Sequence, residues 1–234
     1  MSYPYLPWDS QQVRELRGKV QKKFSEEEFL AWLIYRRVSL YLSLFLSSKS
    51  QITPNLITSL AIILAILGAF LPWLKTNSLA IIGGVFVVQL SYILDLVDGE
   101  VARLKGLHSI VGKWLDRILE GTILAATLSL GASALLQQGA NDLIGLWISV
   151  LFIRTFARVG YYELRRSLPT TSIRVRNHLY NFFSFLTGPL GFMLTLALIM
   201  LLNLNNLILI PYIFYTGGTI LQVIFLYRSL VNND

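Results

Sequence analysis

The segment "DLVDGEVARLKGLHSIVGKWLDRILEG", residues 95–121, places five carboxylates between two of the most apolar parts of the chain: Asp95, Asp98, Glu100, Asp116 and Glu120. Asp95, Asp98 and Ala102 are spaced three and four apart, so on a helix they share one face, and Gly99 lies with them. Gly112, Asp116 and Glu120 recur every four residues and make a second stripe. The intervening "RLKGLHSI" has the length of a turn, which predicts two antiparallel helices with Asp95, Asp98, Asp116 and Glu120 facing one another. Four anions so close repel unless cations neutralise them. Ligands that are all oxygen point to a hard cation, Mg²⁺, Mn²⁺ or Ca²⁺. Four carboxylates shared between two ions would suit a displacement at phosphorus. Snorkelling ends or surface pairs, such as Asp98 with Arg103 or Asp116 with Arg117, explain any one of these residues. They do not explain four at this spacing with the glycines between them.

The surrounding composition sets the class. The chain has 234 residues, 54% hydrophobic and only 14% charged. That is more apolar than ordinary soluble domains. Several runs reach the roughly 20 residues that cross a bilayer as a helix, and helices are the default spans because irregular backbone cannot face hydrocarbon. There are no cysteines, which excludes disulfides and thiol catalysis. The net charge of +7 points to cytoplasmic loops and anionic headgroups, with no nucleic acid partner expected. The N-terminus has no signal-peptide core.

The expected architecture is an all-α integral membrane fold of six transmembrane helices preceded by a cytoplasmic juxtamembrane amphipathic helix. Residues 1–48 form the cytoplasmic or interfacial segment and residues 49–234 the membrane domain. "MSYPYLPW" reads as irregular, Ser25 and Glu28 as a capping box, and "FLAWLIYRRVSLYLSLFL" as an interfacial helix, interrupted by Arg36 and Arg37. The spans are expected at 53–74, 77–104, 109–137, 141–166, 179–202 and 206–228. Loops near 72–77, 137–142 and 203–206 contain Lys75 as their only basic residue. The other side gathers the N-terminal basic residues with Arg103, Lys105, Lys113, Arg117, Arg165, Arg166, Arg174, Arg176 and Arg228. This asymmetry predicts that both termini and the acidic hairpin face the cytoplasm of a plasma (inner) membrane.

The hairpin reads D-x2-D-G-x2-A-R-x8-G-x3-D-x3-E and resembles the signature of the CDP-alcohol phosphotransferase family, with Glu120 where the family usually has Asp. "TPNLIT", 53–58, is similar to the segment that opens the first span of that family. The resemblance covers about residues 36–230 and is nearest to the inositol-phosphate-using branch; no cytidylyltransferase domain is expected ahead of it. It implies that Asp95, Asp98, Asp116 and Glu120 hold two divalent cations, Mg²⁺ or Mn²⁺, against a CDP pyrophosphate. It implies that Gly99, Ala102, Arg103 and Gly112, with Asn55, line the nucleotide site. It also implies that Glu120 is the general base that activates the acceptor hydroxyl, in a homodimeric enzyme of phospholipid biosynthesis. Glu keeps the carboxylate but adds one methylene, which leaves full activity, altered acceptor choice and a weakly active nucleotide binder all open.

Arg154 and Arg158 lie one turn apart in the expected fourth span. Arg inside a span needs an anion or water, and a pair suits a phosphate. They are candidates for the phosphate of an acceptor such as inositol phosphate or glycerol phosphate, against pairing with Glu163, Asp116 or lipid phosphate. The expected donor is a CDP-alcohol such as CDP-diacylglycerol. Trp114, Trp147, Tyr161 and Tyr162 read as interfacial belt residues, His108 as a surface residue, and Gly131 and Gly217–Gly218 as points of close helix packing. The competing class is an ion-coupled carrier, whose internal repeats and broken helices are not visible here.

Overall fold

The computed structural model describes residues 3–22, 31–75, 77–150, 152–153 and 189–231. Every regular element among the described residues is helical. The chain divides into two compact units, Met1–Leu130 and Gly131–Asp234.

The first unit opens with α1, Gln11–Val20, capped by the Ser10 hydroxyl, which accepts from the Val13 N–H. A π-helical turn, Ala31–Tyr35, runs into α2, Arg36–Ser47. Helix α3, Pro54–Leu74, starts where Thr53 caps the Leu56 N–H and Pro54 occupies a first-turn position that needs no donor. Its 21 residues make a rod of about 31 Å, matching a hydrocarbon core of roughly 30 Å. Helix α4, Ser78–Lys105, is capped by Asn77 and stops at Gly106, whose φ of 65° suits a residue without a Cβ. The Leu107 N–H returns to the Ala102 carbonyl at 2.9 Å and closes the end. Helix α5, Ile110–Gln137, begins four residues later, capped by the Ser109 hydroxyl on the Gly112 N–H at 2.9 Å.

α3, α4 and α5 are long and apolar enough to cross a membrane. Their bounds agree with the first three expected spans within a residue or two. α3 and α4 cross at Gly68 and Gly84, where a Cβ on Gly84 would stand 2.6 Å from the Gly68 carbonyl oxygen. Small residues let the backbones meet where lipid supplies no hydrophobic drive. The Trp73 indole donates to the Ser129 hydroxyl, which donates to the Ala69 carbonyl, both at 2.7 Å, so α5 is tied to α3 without an orphaned polar group. Near the acidic end, Ile57, Val97 and Val101 form a core against Leu42, Leu46, Ile52, Ile93 and Leu94.

The second unit contains the end of α5, a helical stretch over 142–150, α6 (Pro189–Leu201), a short 3₁₀ turn and α7 (Leu209–Val231). α6 lies within the expected fifth span, and α7 overlaps the sixth and runs three residues past its expected end. Most of the expected fourth span, with Arg154, Arg158, Tyr161 and Tyr162, lies outside the described residues, as do the Ser25–Glu28 capping box and the first part of span five. Trp147 corrects the interfacial-belt expectation. It is 2% exposed, stacked on Phe192 at 4.6 Å and edge-on to Tyr212 and Tyr215. Gly131 is why the indole fits: a Cβ there would lie 2.5 Å from its nitrogen. The Tyr212 hydroxyl donates to the Gly131 carbonyl at 2.6 Å. Gly131 thus serves the close packing expected of it, whereas among the described residues a Cβ on Gly217 would meet nothing within 4 Å. Trp114 is exposed.

Candidate active site

Asp95 and Asp98 lie in the last three turns of α4, and Asp116 and Glu120 in the first three turns of α5. The Gly106 turn between them is short, so both stripes come to the same end of the helix pair. Asp98, Asp116 and Glu120 are near enough to Asp95 to act on it electrostatically. Asp98 is buried, and the Thr58 hydroxyl donates to one of its oxygens at 2.5 Å. Asp95 and Glu120 are partly buried, and Asp116 is exposed. Among the described residues no three acidic or histidine side chains converge closely enough to chelate an ion in this arrangement. The chemistry of the set still fits a hard divalent cation: every donor is a carboxylate oxygen, and the accumulated negative charge calls for neutralisation.

The expected nucleotide residues separate into two groups. Asn55, in the first turn of α3, reaches the start of α5. Its amide approaches the Ser109 hydroxyl at 3.5 Å, and a Cβ on Gly112 would be 2.9 Å from its side-chain oxygen. Gly112 is therefore required by the seat of Asn55 and Ser109. An open cleft of about 230 Å³ lies here, lined by Thr53, Pro54, Asn55, Leu107, His108 and Ser109. Gly99 differs, because among the described residues a Cβ there would meet only the Arg103 guanidinium, at an ordinary 3.5 Å. Arg103 lies in the last turn of α4, where its charge complements the helix dipole, and its Nε donates to the Val20 carbonyl at the end of α1. Ala102 is partly buried on the same face as Asp95 and Asp98.

Two residues near the site carry roles that the spacing did not reveal. One is Thr58, described above. The other is Glu100, fully buried on the face of α4 turned away from Asp98. Its carboxylate accepts from Arg36 at 2.8 Å, Ser39 at 2.7 Å, Gln21 at 2.9 Å and, on the other oxygen, Ser43 at 2.6 Å. Arg36, Ser39 and Ser43 recur at helical spacing in an otherwise apolar helix, and that polar stripe was the legible signal that α2 faces a charge. Arg36, first read as an interruption of an interfacial helix, is the buried partner of Glu100. Arg17 extends the network: it pairs with Asp9 at 2.7 Å and donates to the carbonyls of Arg36 and Arg37.

Comparison with known proteins places the site in a family context. The family model for CDP-alcohol phosphatidyltransferase matches residues 51–231. A protein named bifunctional IPC transferase and DIPP synthase from Aquifex aeolicus (strain VF5) is 30% identical over 123 residues, covering 53% of this chain and 27% of its own length. A protein of the same name from Thermococcus kodakarensis is 29% identical over 155 residues, covering 66% of this chain and 33% of its own length. The chain thus matches a third or less of each of these relatives. The matched family region takes in every residue of the acidic hairpin together with Asn55 and Thr58, and the chain belongs to the CDP-alcohol phosphatidyltransferase family.

Proposed function

We propose that the chain is a membrane transferase that moves a phosphatidyl or phospho-alcohol group from a CDP-alcohol to an alcohol acceptor and releases CMP. The observation that carries this reading is that Asp95 and Asp98 near the end of α4, and Asp116 and Glu120 near the start of α5, lie on either side of one short turn between two apolar helices. A donor such as CDP-diacylglycerol keeps its tails in the bilayer while its pyrophosphate reaches that end. The relatives' names favour the inositol-phosphate-using branch, so the acceptor is a phosphorylated polyol such as inositol phosphate or glycerol phosphate. Arg154 and Arg158 are assigned its phosphate.

Asp95, Asp98, Asp116 and Glu120 would hold two divalent cations, Mg²⁺ or Mn²⁺, which supply charge neutralisation for the pyrophosphate and the departing CMP. Glu120 takes the proton of the acceptor hydroxyl. The acceptor oxygen bonds to the β-phosphorus as the bond from that phosphorus to the bridging oxygen breaks, and CMP leaves with the bridging oxygen. Gly99 is consistent with this reading: packing among the described residues does not require a glycine there, whereas close approach of a bound phosphate would. Gly112, Ala102, Arg103 and the Asn55 cleft flank the nucleotide. Both termini and the site lie on the cytoplasmic side, and the working form is a homodimer.

The test is CMP release by the detergent-solubilised protein with CDP-diacylglycerol, Mg²⁺ or Mn²⁺, and separate inositol phosphate, glycerol phosphate, inositol and serine. Release that depends on the acceptor is expected, and Glu120→Gln should lower it by about 10²-fold or more. Release from Glu120→Asp but none from the wild type would favour a nucleotide-binding member of the family. Substrate uptake into vesicles without CMP would favour a carrier.

A further inference from the structure

The start of α3 touches both halves of the acidic hairpin. Asn55 reaches α5, where its amide approaches the Ser109 hydroxyl at 3.5 Å and its side-chain oxygen fills the space beside Gly112. Thr58, three residues on and so on the same side of α3, reaches α4. It is 3% exposed, and its hydroxyl lies 2.5 Å from one oxygen of Asp98. A second acceptor, the Pro54 carbonyl one turn back in α3, is 3.0 Å away. The hydroxyl has a single proton. The carboxylate is the closer acceptor and, when ionised, the stronger one, so the proton goes to Asp98. The last torsion of an aspartate side chain is soft, and a bond from a buried hydroxyl on a different helix holds it. Thr58 is itself fixed locally, because Thr53 caps the Leu56 N–H and Pro54 stands in the first turn.

We propose that Thr58 is a positioning residue for metal binding: it sets the orientation in which Asp98 presents its carboxylate to a divalent cation. The assignment rests on the reading above that Asp98 belongs to a divalent-cation site. Carboxylates that ligate metals are themselves held by hydrogen bonds, and loss of such a partner costs about 10–100-fold in metal affinity. The two polar residues of the α3 start then have separate tasks. Asn55 seats the beginning of α5, and Thr58 orients a carboxylate of α4.

Mn²⁺ binding by the detergent-solubilised protein, read from the EPR signal of free Mn²⁺ with and without CDP, is compared for wild type, Thr58→Val, Thr58→Ser and Thr127→Val. Valine keeps the shape of threonine and removes the hydroxyl. Thr127 is a buried threonine whose hydroxyl donates to the Ile123 carbonyl of its own helix at 2.8 Å, so Thr127→Val controls for the loss of a hydroxyl as such. Thr58→Val should raise the Mn²⁺ Kd by about tenfold or more. Thr58→Ser should restore most of the affinity, and Thr127→Val should match wild type. In the CMP-release assay, Thr58→Val should raise the Mn²⁺ concentration for half-maximal rate in the same proportion, with donor and acceptor KM at saturating Mn²⁺ changed far less. Melting in EDTA establishes that each variant is folded; if Thr58→Val is not, Thr58→Ala takes its place. An unchanged Mn²⁺ Kd in the folded variant without the hydroxyl, or an equal loss in Thr127→Val, overturns the assignment and leaves the metal reading standing. No Mn²⁺ binding by the wild type overturns both. Mn²⁺ binding without CMP release by the wild type removes the transferase reading, and the Mn²⁺ Kd alone then decides the role of Thr58.

Discussion

Single residues here show how one amino-acid type serves opposite ends. Glu100 and Asp98 are two positions apart, and both are nearly sealed from solvent. Glu100 has four donors on its two oxygens, so its charge is spent inside the fold. Asp98 accepts from the Thr58 hydroxyl on one of its oxygens. Glycines divide similarly. Gly112→Ala should push the Asn55 side chain aside, because the added methyl would lie 2.9 Å from its oxygen. Such overpacking destabilises by about 1–3 kcal/mol, read as a lowered melting temperature and a weaker thermal shift with CDP. Asp9 gives a pH prediction. Burial raises its pKa, but hydrogen bonds from Arg17, Tyr41 and the Leu6 N–H, with the Arg17 charge, outweigh that and bring it down to about 2. A carboxylate depressed in the folded state contributes stability above its unfolded pKa, roughly 3.9, and that contribution disappears as pH falls through about 2. Asp9→Asn should therefore melt lower than wild type at neutral pH, and the gap should close between about pH 4 and 2. A constant gap across that range would reject the role given to its charge.

At the level of elements, each helix has a distinct reason to sit where it does. α3 meets α4 through glycines, α5 meets α3 through the Trp73–Ser129–Ala69 chain, and α2 meets α4 through Glu100. The first contact depends on the absence of a side chain, so Gly84→Val should be disruptive: its Cβ would collide with the Gly68 carbonyl and with Leu130. A loss of about 1–3 kcal/mol is expected in thermal unfolding, while Gly83→Ala, where a Cβ meets nothing within 4 Å, serves as the tolerated control. Equal behaviour of the two variants would mean the crossing is looser than described. The Glu100 contact works in the contrary way. It is a fully desolvated pair with Arg36, strong evidence of specificity and weak evidence of stability. Its structural effect is to fix the rotation of α4 against α2.

Three described helices are long and apolar enough to cross a membrane, and the expected sidedness is testable because the chain contains no cysteine. A single cysteine at Lys75, exposed between α3 and α4, should react with a membrane-impermeant thiol reagent added outside intact cells. One at His108, in the turn between α4 and α5, should react only after the cells are opened. The reverse pattern would place the acidic site on the outer face and remove access to a cytoplasmic nucleotide. The expected sidedness rests on Lys and Arg placement.

The sequence by itself determined the helical class, the bounds of the first three long helices and the two carboxylate stripes, because each depends on local periodicity: 3.6 residues per turn, uninterrupted apolar length, caps at Thr53 and Asn77, and a glycine at 106. It also carried the family signature. Only the tertiary structure decided which charges were free. Nothing in "VDGEVARL" separates Glu100, consumed by α2 and Gln21, from Asp98 two residues earlier, and nothing in "LWISV" separates a buried Trp147 from one at the lipid interface. Those outcomes depend on partners distant along the chain, Arg36 for the first and Gly131 with Phe192 and Tyr212 for the second. The energy of a buried charge or ring is set by what surrounds it in space, and spacing along one helix carries no record of that.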